Sequence, residues 1–351
     1  MIRIALIPGD GIGPEVVREG RRLINAAARA GLVEVQTEEF PHGADHYLAT
    51  GETLGDEAFA RLRDEFDAIL LGAVGDPRVP DNRHARDILL GLRFRLDLFI
   101  NFRPARLRIA ELSPLKSARS GCPDIDVFRE NTEGFYTGSG GVLRPGTPME
   151  VATSESFATR YGVERIVRAS FEHARARGRH RVTLADKANA VPHVYGLWRR
   201  VFAEIAAEYP DVESEMGYVD AIAMQLVREP ERFSVIVTEN LLGDILSDLL
   251  AELSGGMGLA PSANLNPGRH ALYEPVHGSA PDIAGTGRAN PVATLLCVAL
   301  LFRDAGEDAA ADRVERAVDA SLQAGIRTAD AGGSATTEEV GRWIADHVRA
   351  G

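Results

Sequence analysis

The sequence predicts an α/β protein, and three observations carry the prediction. The first hundred residues alternate short apolar runs with longer stretches of helical period. Residues 67–74, "DAILLGAV", are continuously apolar, like a strand of a sheet covered on both faces. The same alternation resumes near residue 160 and runs on past residue 250.

The elements follow in order. "IRIALI" opens the chain as a strand. Residues 14–30 place Val16, Val17, Leu23, Ile24, Ala27 and Ala28 on one helical face, with Gly31 as the stop. "VEVQTEEF" (33–40) is a second strand, 67–74 a third, and "VGDPRVPDNRH" (74–84) an exposed loop. Residues 135–156 are rich in Gly, Ser, Thr and Pro without helical period, and predict a β-hairpin or protruding arm. "TGSGG" within them lacks the Lys-Ser/Thr of a P-loop. A helix (161–177), the strand "RVTLAD", a further helix, a strand (233–240) and a helix (241–253) come next. "SGGMGLAPSANLNPG" predicts a long glycine-rich loop, and helices are expected over 291–304 and 307–324.

A chain of 351 residues with 45% apolar and 26% charged residues is expected to form two globular domains. Its net charge of −12 argues against nucleic acid as a partner, because phosphate neutralisation needs basic patches. No apolar run reaches the ~20 residues of a membrane span. No basic segment followed by a long apolar one opens the chain, and Cys122 and Cys297 make no disulfide framework, so a cytoplasmic location is expected.

Of 39 basic residues only Lys116 and Lys187 are lysines. Arginine stays protonated in a protein, whereas a lysine can serve as a general base. Lys187, in the polar turn "LADKANAV" after a strand, is the candidate base. Asp244 and Asp248 are four apart on a predicted helix and share a face. Hard oxygen ligands of this kind suit Mg²⁺ or Mn²⁺, the bland alternative being a solvated acidic edge. Arg93 and Arg103 flank a predicted strand and Arg129 ends another, positions suited to bidentate carboxylate recognition or to surface solvation. Tyr136 follows as a proton donor or a packed ring. "IPGDGIGPEV" (7–16) matches the dinucleotide fingerprint at Gly9 and Gly11 but has Pro14 at the sixth position, so a plain strand-to-helix turn competes with it. The loop "YEPVHGSAPDIAGTGRANP" (273–291) can offer backbone N–H groups to a pyrophosphate, and Asp282 can accept from a ribose diol.

Seven segments in order, "GDGIGPEV", "NFRP", "RENTEG", "DKAN", "YVDAIAMQLV", "VTENLLGDILSD" and "EPVHGSAPDIAG", resemble the isocitrate/isopropylmalate dehydrogenase family nearly end to end. The resemblance implies two α/β domains with a mixed central sheet, not a Rossmann fold, and a β arm at a dimer interface. It implies a large cofactor-binding domain from 1–99 and 254–351 and a small domain from 100–253. By the same pattern Arg93, Arg103 and Arg129 bind the malate carboxylates. Asp244, Asp248 and Asp220 hold Mg²⁺ or Mn²⁺, with Asp220 also near substrate, and Asp220 and Lys187 come from the partner of a homodimer. Lys187, through water, takes the hydroxyl proton, and Tyr136 gives or relays a proton to the product. NAD is held by Glu274, His277, Gly278, Ser279, Ala280, Asp282, Ile283 and Asn290, with Asn189 near the nicotinamide. Asp282 and Ile283 stand where NADP-using relatives carry Lys and Tyr, which implies NAD.

The implied reaction is NAD-dependent oxidative decarboxylation of a 3-substituted (R)-malate. Leu89 and Leu90 resemble the apolar pocket for an isopropyl group, pointing to 3-isopropylmalate and 2-oxoisocaproate. Isocitrate enzymes carry Ser and Asn in place of Asp87 and Leu89, and homoisocitrate enzymes an Arg in place of Leu90. Arg86 and His84, which could meet a polar group, and the wording "RENTEG" keep tartrate, D-malate and homoisocitrate as alternatives, with an alkylmalate of specialised metabolism. A non-catalytic regulatory paralogue is a further alternative, opposed by the intact metal, base and arginine positions.

Overall fold

The computed structural model describes every residue except Ser117. The chain divides into two compact units: residues 1–98, 106–122 and 251–351 form the first, and 99–105 and 123–250 the second.

The first unit opens with β1 (Ile2–Gly9), α1 (Gly13–Arg29), β2 (Val35–Glu39), α2 (Ala44–Thr50), α3 (Asp56–Asp64), β3 (Ala68–Ala73) and α4 (Arg83–Arg95). The second holds β4 (Ile100–Arg106), β5 (Asp124–Glu130), the antiparallel pair β6 (Gly140–Leu143) and β7 (Val151–Ser154), α5 (Arg160–Ala176), β8 (Arg181–Asp186), α6 (Pro192–Ala206), β9 (Glu213–Tyr218), α7 (Val219–Arg228), β10 (Val235–Thr238) and α8 (Asn240–Leu253). The chain returns to the first unit with β11 (Pro261–Asn266), β12 (His270–Pro275), α9 (Val292–Asp304), α10 (Asp308–Gln323) and α11 (Thr337–Ala350).

Strand order in the first unit is β2-β1-β3-β12-β11, and in the second β4-β5-β10-β8-β9. β1 pairs parallel with β2 and β3, and β12 with β3, while β11 and β12 run antiparallel, so the sheet is mixed, as expected. β5, β10, β8 and β9 are mutually parallel. Every residue of β3 and of β10 is buried, which explains why both read as unbroken apolar runs. Helix α9 is buried from Val292 to Phe302, all round, and so shows no amphipathic stripe. Each fully buried Leu or Val there contributes about 1.5–3 kcal/mol.

The residues after β1 form a junction. The N–H of Ile12 donates to the Ser279 carbonyl at 2.8 Å. A Cβ at Gly11, whose φ is +56°, would lie 2.0 Å from that carbonyl oxygen, so only glycine fits. The Asp10 carboxylate accepts from the N–H groups of Ala44 and Gly75 and contacts His84. "GDGIGPEV" is therefore a turn that ties three loops together.

Three expectations are corrected. Residues 254–268 are not all loop: β11 lies within them, its Pro and Asn residues tolerated because each strand residue has its partner on β12. Arg93 lies in helix α4 and Arg103 in the middle of β4, so neither flanks a strand end. Helices α2, α3, α4, α7 and α11 were not anticipated, although Thr336 and Glu339 form a capping box at the start of α11.

Candidate active site

In the second unit five predicted residues converge. Arg103, from β4, donates through Nε to Asn101 at 2.9 Å and through Nη1 to Ser247 at 2.8 Å and Asp248 at 3.0 Å. Its Nη1 also lies 3.4 Å from Asp244. Arg129, at the end of β5, is 1% exposed; its Nε donates to Asn240 at 2.9 Å and its Nη1 to Asp244. Helix α8 presents Asp244 and Asp248 on one face, as their spacing requires. Gly243 permits this approach, because a Cβ there would meet the Arg129 side chain at 2.6 Å.

Two carboxylates this close repel unless cations lie beside them, and the two guanidinium groups fill that role here. Burial pushes the Asp248 carboxyl above the usual range, against the pull of Arg103. The Tyr136 hydroxyl donates to Asp244 Oδ2 at 2.6 Å, and its ring lies 5.3 Å from the Arg129 guanidinium carbon. Burial and the Asp244 carboxylate both raise the Tyr136 pKa, so the phenol is held protonated. The turn carrying it is ordered by Glu130, whose buried carboxylate accepts from the N–H groups of Thr132 and Glu133.

The donor set fits a hard divalent cation: two carboxylates share one face, with 32% and 42% of their side chains still exposed. Asp220 is not among them. It sits in the first turn of α7 and accepts from Lys187 Nζ at 2.5 Å. Among the described residues no three acidic, His or Cys side chains gather around a metal position. Lys187 rides on a turn set by the buried Asp186, which accepts from the Ala188 N–H and from Arg199. Asn189 follows on the same turn and is exposed.

The first unit holds the remaining candidates. Helix α4 presents Leu89 and Leu90, both half-buried, with Leu89 packed against the apolar core. Arg93, one turn on, donates from Nη2 to Glu274 Oε1 at 2.8 Å, and its Nε–H is buried without a partner. Glu274 is thus engaged by Arg93. His84 is fully buried with Nε2 2.8 Å from Asp10, so it is withdrawn from any substrate and corrects the expectation that it could meet a polar substituent. Arg86 is exposed.

In the loop after β12, the His277 Nδ1 lies 3.0 Å from the Gly278 carbonyl, which makes Nδ1 the protonated nitrogen. Its Nε2 is buried without a partner, and burial lowers the ring's pKa, so the ring is held neutral with Nε2 as its acceptor. Ala280 has φ +37°, and Ile283 packs with it on Ile12, Val16 and Ala289. Gly278 is exposed and Ser279 half-buried. The exposed Asp282 has no partner among the described residues. These features fit a nucleotide carrying a free ribose diol. Asn290 differs: its amide donates to Asp330 at 2.9 Å and accepts from the Val292 N–H, so it starts α9.

A family model described as isocitrate/isopropylmalate dehydrogenase matches residues 3–344. The chain belongs to this family. It is 50% identical over 351 residues to a 3-isopropylmalate dehydrogenase of Streptomyces griseus, covering 99% of this chain and 98% of that one. It is 47% identical to one from Thermobifida fusca, with 99% and 98% covered. The structure is similar to a crystal structure of isocitrate dehydrogenase from Methylococcus capsulatus, with a TM-score of 0.90, 38% identity, and 99% and 100% of the two chains covered. The isocitrate/isopropylmalate dehydrogenase family membership accounts for the motifs that carried the resemblance. Residues that sequence reading missed here are Asn101, Asp186, Asn240 and Ser247. Their one signal was a polar side chain inside or beside an apolar run.

Proposed function

We propose that the protein is an NAD-dependent β-decarboxylating dehydrogenase that converts 3-isopropylmalate to 2-oxoisocaproate and CO₂. The observation that carries the reaction class is the constellation of Arg103, Arg129, Tyr136, Asp244 and Asp248. Leu89, Leu90 and the burial of His84 favour an apolar 3-substituent, and the relatives named 3-isopropylmalate dehydrogenase support the same substrate.

In this reading Arg103, Arg129 and Arg93 bind substrate carboxylates through paired N–H groups. Asp244 and Asp248, with Asp220 of the partner chain, hold Mg²⁺ or Mn²⁺. When bound, the cation supplies Lewis-acid stabilisation of charge on the substrate oxygens. Lys187, also from the partner, would receive the hydroxyl proton through water, and NAD, when bound, would supply the hydride acceptor. Loss of CO₂ leaves its bonding electrons on the substrate carbon, and Tyr136 gives that carbon a proton. The exposed Asp282, with His277 Nε2 and the backbone of Gly278, Ser279 and Ala280, would hold the NAD adenosine, Ile283 its base, Asn290 the loop end and Asn189 the nicotinamide side.

The domain assignment belongs to the same reading: residues 1–99 and 254–351, with 106–122 packed in the same unit, would bind cofactor, and the rest of 100–253 would carry the dimer interface. The exposed pair β6–β7, with Val142, Leu143, Met149 and Val151 open to solvent, would form a clasp between two copies in a homodimer. No helix among the described residues is long and apolar enough to cross a membrane. We place the enzyme in the cytoplasm. Purified protein given 3-isopropylmalate, NAD⁺ and Mg²⁺ should release NADH and CO₂ in equal amounts. NADH without CO₂ would overturn the decarboxylating assignment.

A further inference from the structure

Asn264 is fully buried on β11, in a strand whose other buried positions are Pro, Ser and Ala. A buried amide is retained only where its hydrogen bonds are met. Its Nδ2 donates to Glu274 Oε1 at 2.9 Å, and lies 3.4 Å from the carbonyl of Leu272, its register partner on β12. The same Oε1 accepts from Arg93 Nη2 at 2.8 Å. The backbone of Glu274 is fixed as well, since Ser262 Oγ donates to its carbonyl at 2.8 Å. One carboxylate oxygen thus joins a strand amide to an arginine whose Nε–H is buried and unpartnered.

We propose that Asn264 is a positioning residue for substrate binding: it fixes the Glu274 carboxylate, and Glu274 in turn aims the Arg93 guanidinium at a carboxylate of the malate. The proposal rests on the reading of Arg93 as a substrate-binding residue. Asn264 itself touches neither substrate nor cofactor. Without its amide, Glu274 keeps its charge but loses one of two contacts that set its orientation. Arg93 then samples orientations that present the wrong edge, which weakens ground-state binding more than turnover.

The replacement Asn264→Asp separates this role from simple packing, because it is close to isosteric and turns the contact into a carboxyl–carboxylate pair. At low pH the pair shares one proton and the contact is kept. At high pH both groups ionise, repel and move apart. The titratable groups around position 264 are Glu274 of β12, Arg93 of α4 through it, and the Cys297 thiol of α9, which burial keeps protonated.

The experiment compares wild type, Asn264→Asp and Asn264→Ala as whole purified enzymes. It uses whichever of 3-isopropylmalate, D-malate and isocitrate the wild type turns over best, and circular dichroism checks that each variant is folded. KM for malate, KM for NAD⁺ and kcat are measured from about pH 6 to about pH 9. In Asn264→Asp the malate KM should climb about tenfold more than in wild type across that range, with the NAD⁺ KM unmoved. Asn264→Ala should show a raised malate KM at every pH, with kcat within about threefold of wild type. Malate KM values equal to wild type in folded variants, or parallel losses in kcat and NAD⁺ KM, would overturn the proposal. A wild type that prefers another malate overturns the substrate reading and leaves this test intact. A wild type inactive on all three overturns both.

Discussion

Asp10 Oδ2 and His84 Nε2 lie 2.8 Å apart, and neither residue is more than 5% exposed. This pair anchors the first turn of α4, the helix that carries Leu89, Leu90 and Arg93. The Asp10→Ala change would leave the buried Ala44 N–H, the half-buried Gly75 N–H and the buried His84 Nε2 without their carboxylate partner. We expect a loss of about 2–4 kcal/mol in unfolding free energy, read from denaturant midpoints. Unchanged stability would show that water replaces the carboxylate at no cost.

The Tyr136 hydroxyl is aimed by Asp244 and held protonated by burial and by that carboxylate. Tyr136→Phe should lower kcat by about 10²–10⁴ and leave the malate KM within a few-fold. The raised pKa sets the sign of the pH dependence. The acid form is the proton donor, so this group contributes no alkaline loss of kcat until pH passes its usual value of about 10. A Phe variant with wild-type kcat would remove Tyr136 from the chemistry.

The acid pair on α8 predicts metal dependence. Chelator should abolish turnover, and Mg²⁺ or Mn²⁺ should restore it. In Asp244→Asn the metal concentration for half-maximal rate should rise at least about tenfold, a loss of ~1.4 kcal/mol or more in binding. Full activity in metal-free buffer would mean that this carboxylate pair is structural.

Asp220 and Lys187 pair with each other within one chain, apart from the Asp244 and Asp248 pair. If each chain lends them to a second copy, two inactive variants should complement. Lys187→Met and Arg129→Ala chains, refolded together, should regain part of the activity in hybrid dimers. An active monomer at assay concentration would refute the shared site.

Much of this was legible in the sequence, for identifiable reasons. The pairing of Asp244 with Asp248 needs only the helical repeat, and β3 and β10 announce themselves by burial on both faces. The failures have physical causes. Asn264 reads as a loop residue because strands seldom carry Asn, Pro and Gly together, and only the partner strand β12 makes it a strand position. His84 reads as an available imidazole because nothing local shows that Asp10, far back in the chain, takes its Nε2. The Arg93–Glu274 contact could not be read at all, because it joins positions far apart in sequence.

The exposed, unpartnered Asp282 predicts the cofactor. A carboxylate there accepts from a ribose diol and repels a 2′-phosphate, so kcat/KM for NAD⁺ should exceed that for NADP⁺ by about tenfold or more, ~1.4 kcal/mol of discrimination. Asp282→Lys should narrow the ratio. Equal efficiency with NADP⁺ in the wild type would contradict it.

The central claim is the substrate, and kcat/KM across a panel of malates tests it most directly. An apolar wall gains roughly 0.8 kcal/mol per buried methylene. Burying a further carboxylate beside Leu89 and Leu90 costs more than that unless a cation such as Arg86 meets it. The expected order is 3-isopropylmalate first, D-malate lower by about two orders of magnitude, and isocitrate last. Leu90→Arg should lower the first and raise the acidic substrates. A wild type with higher kcat/KM for isocitrate, homoisocitrate or tartrate than for 3-isopropylmalate would contradict the account.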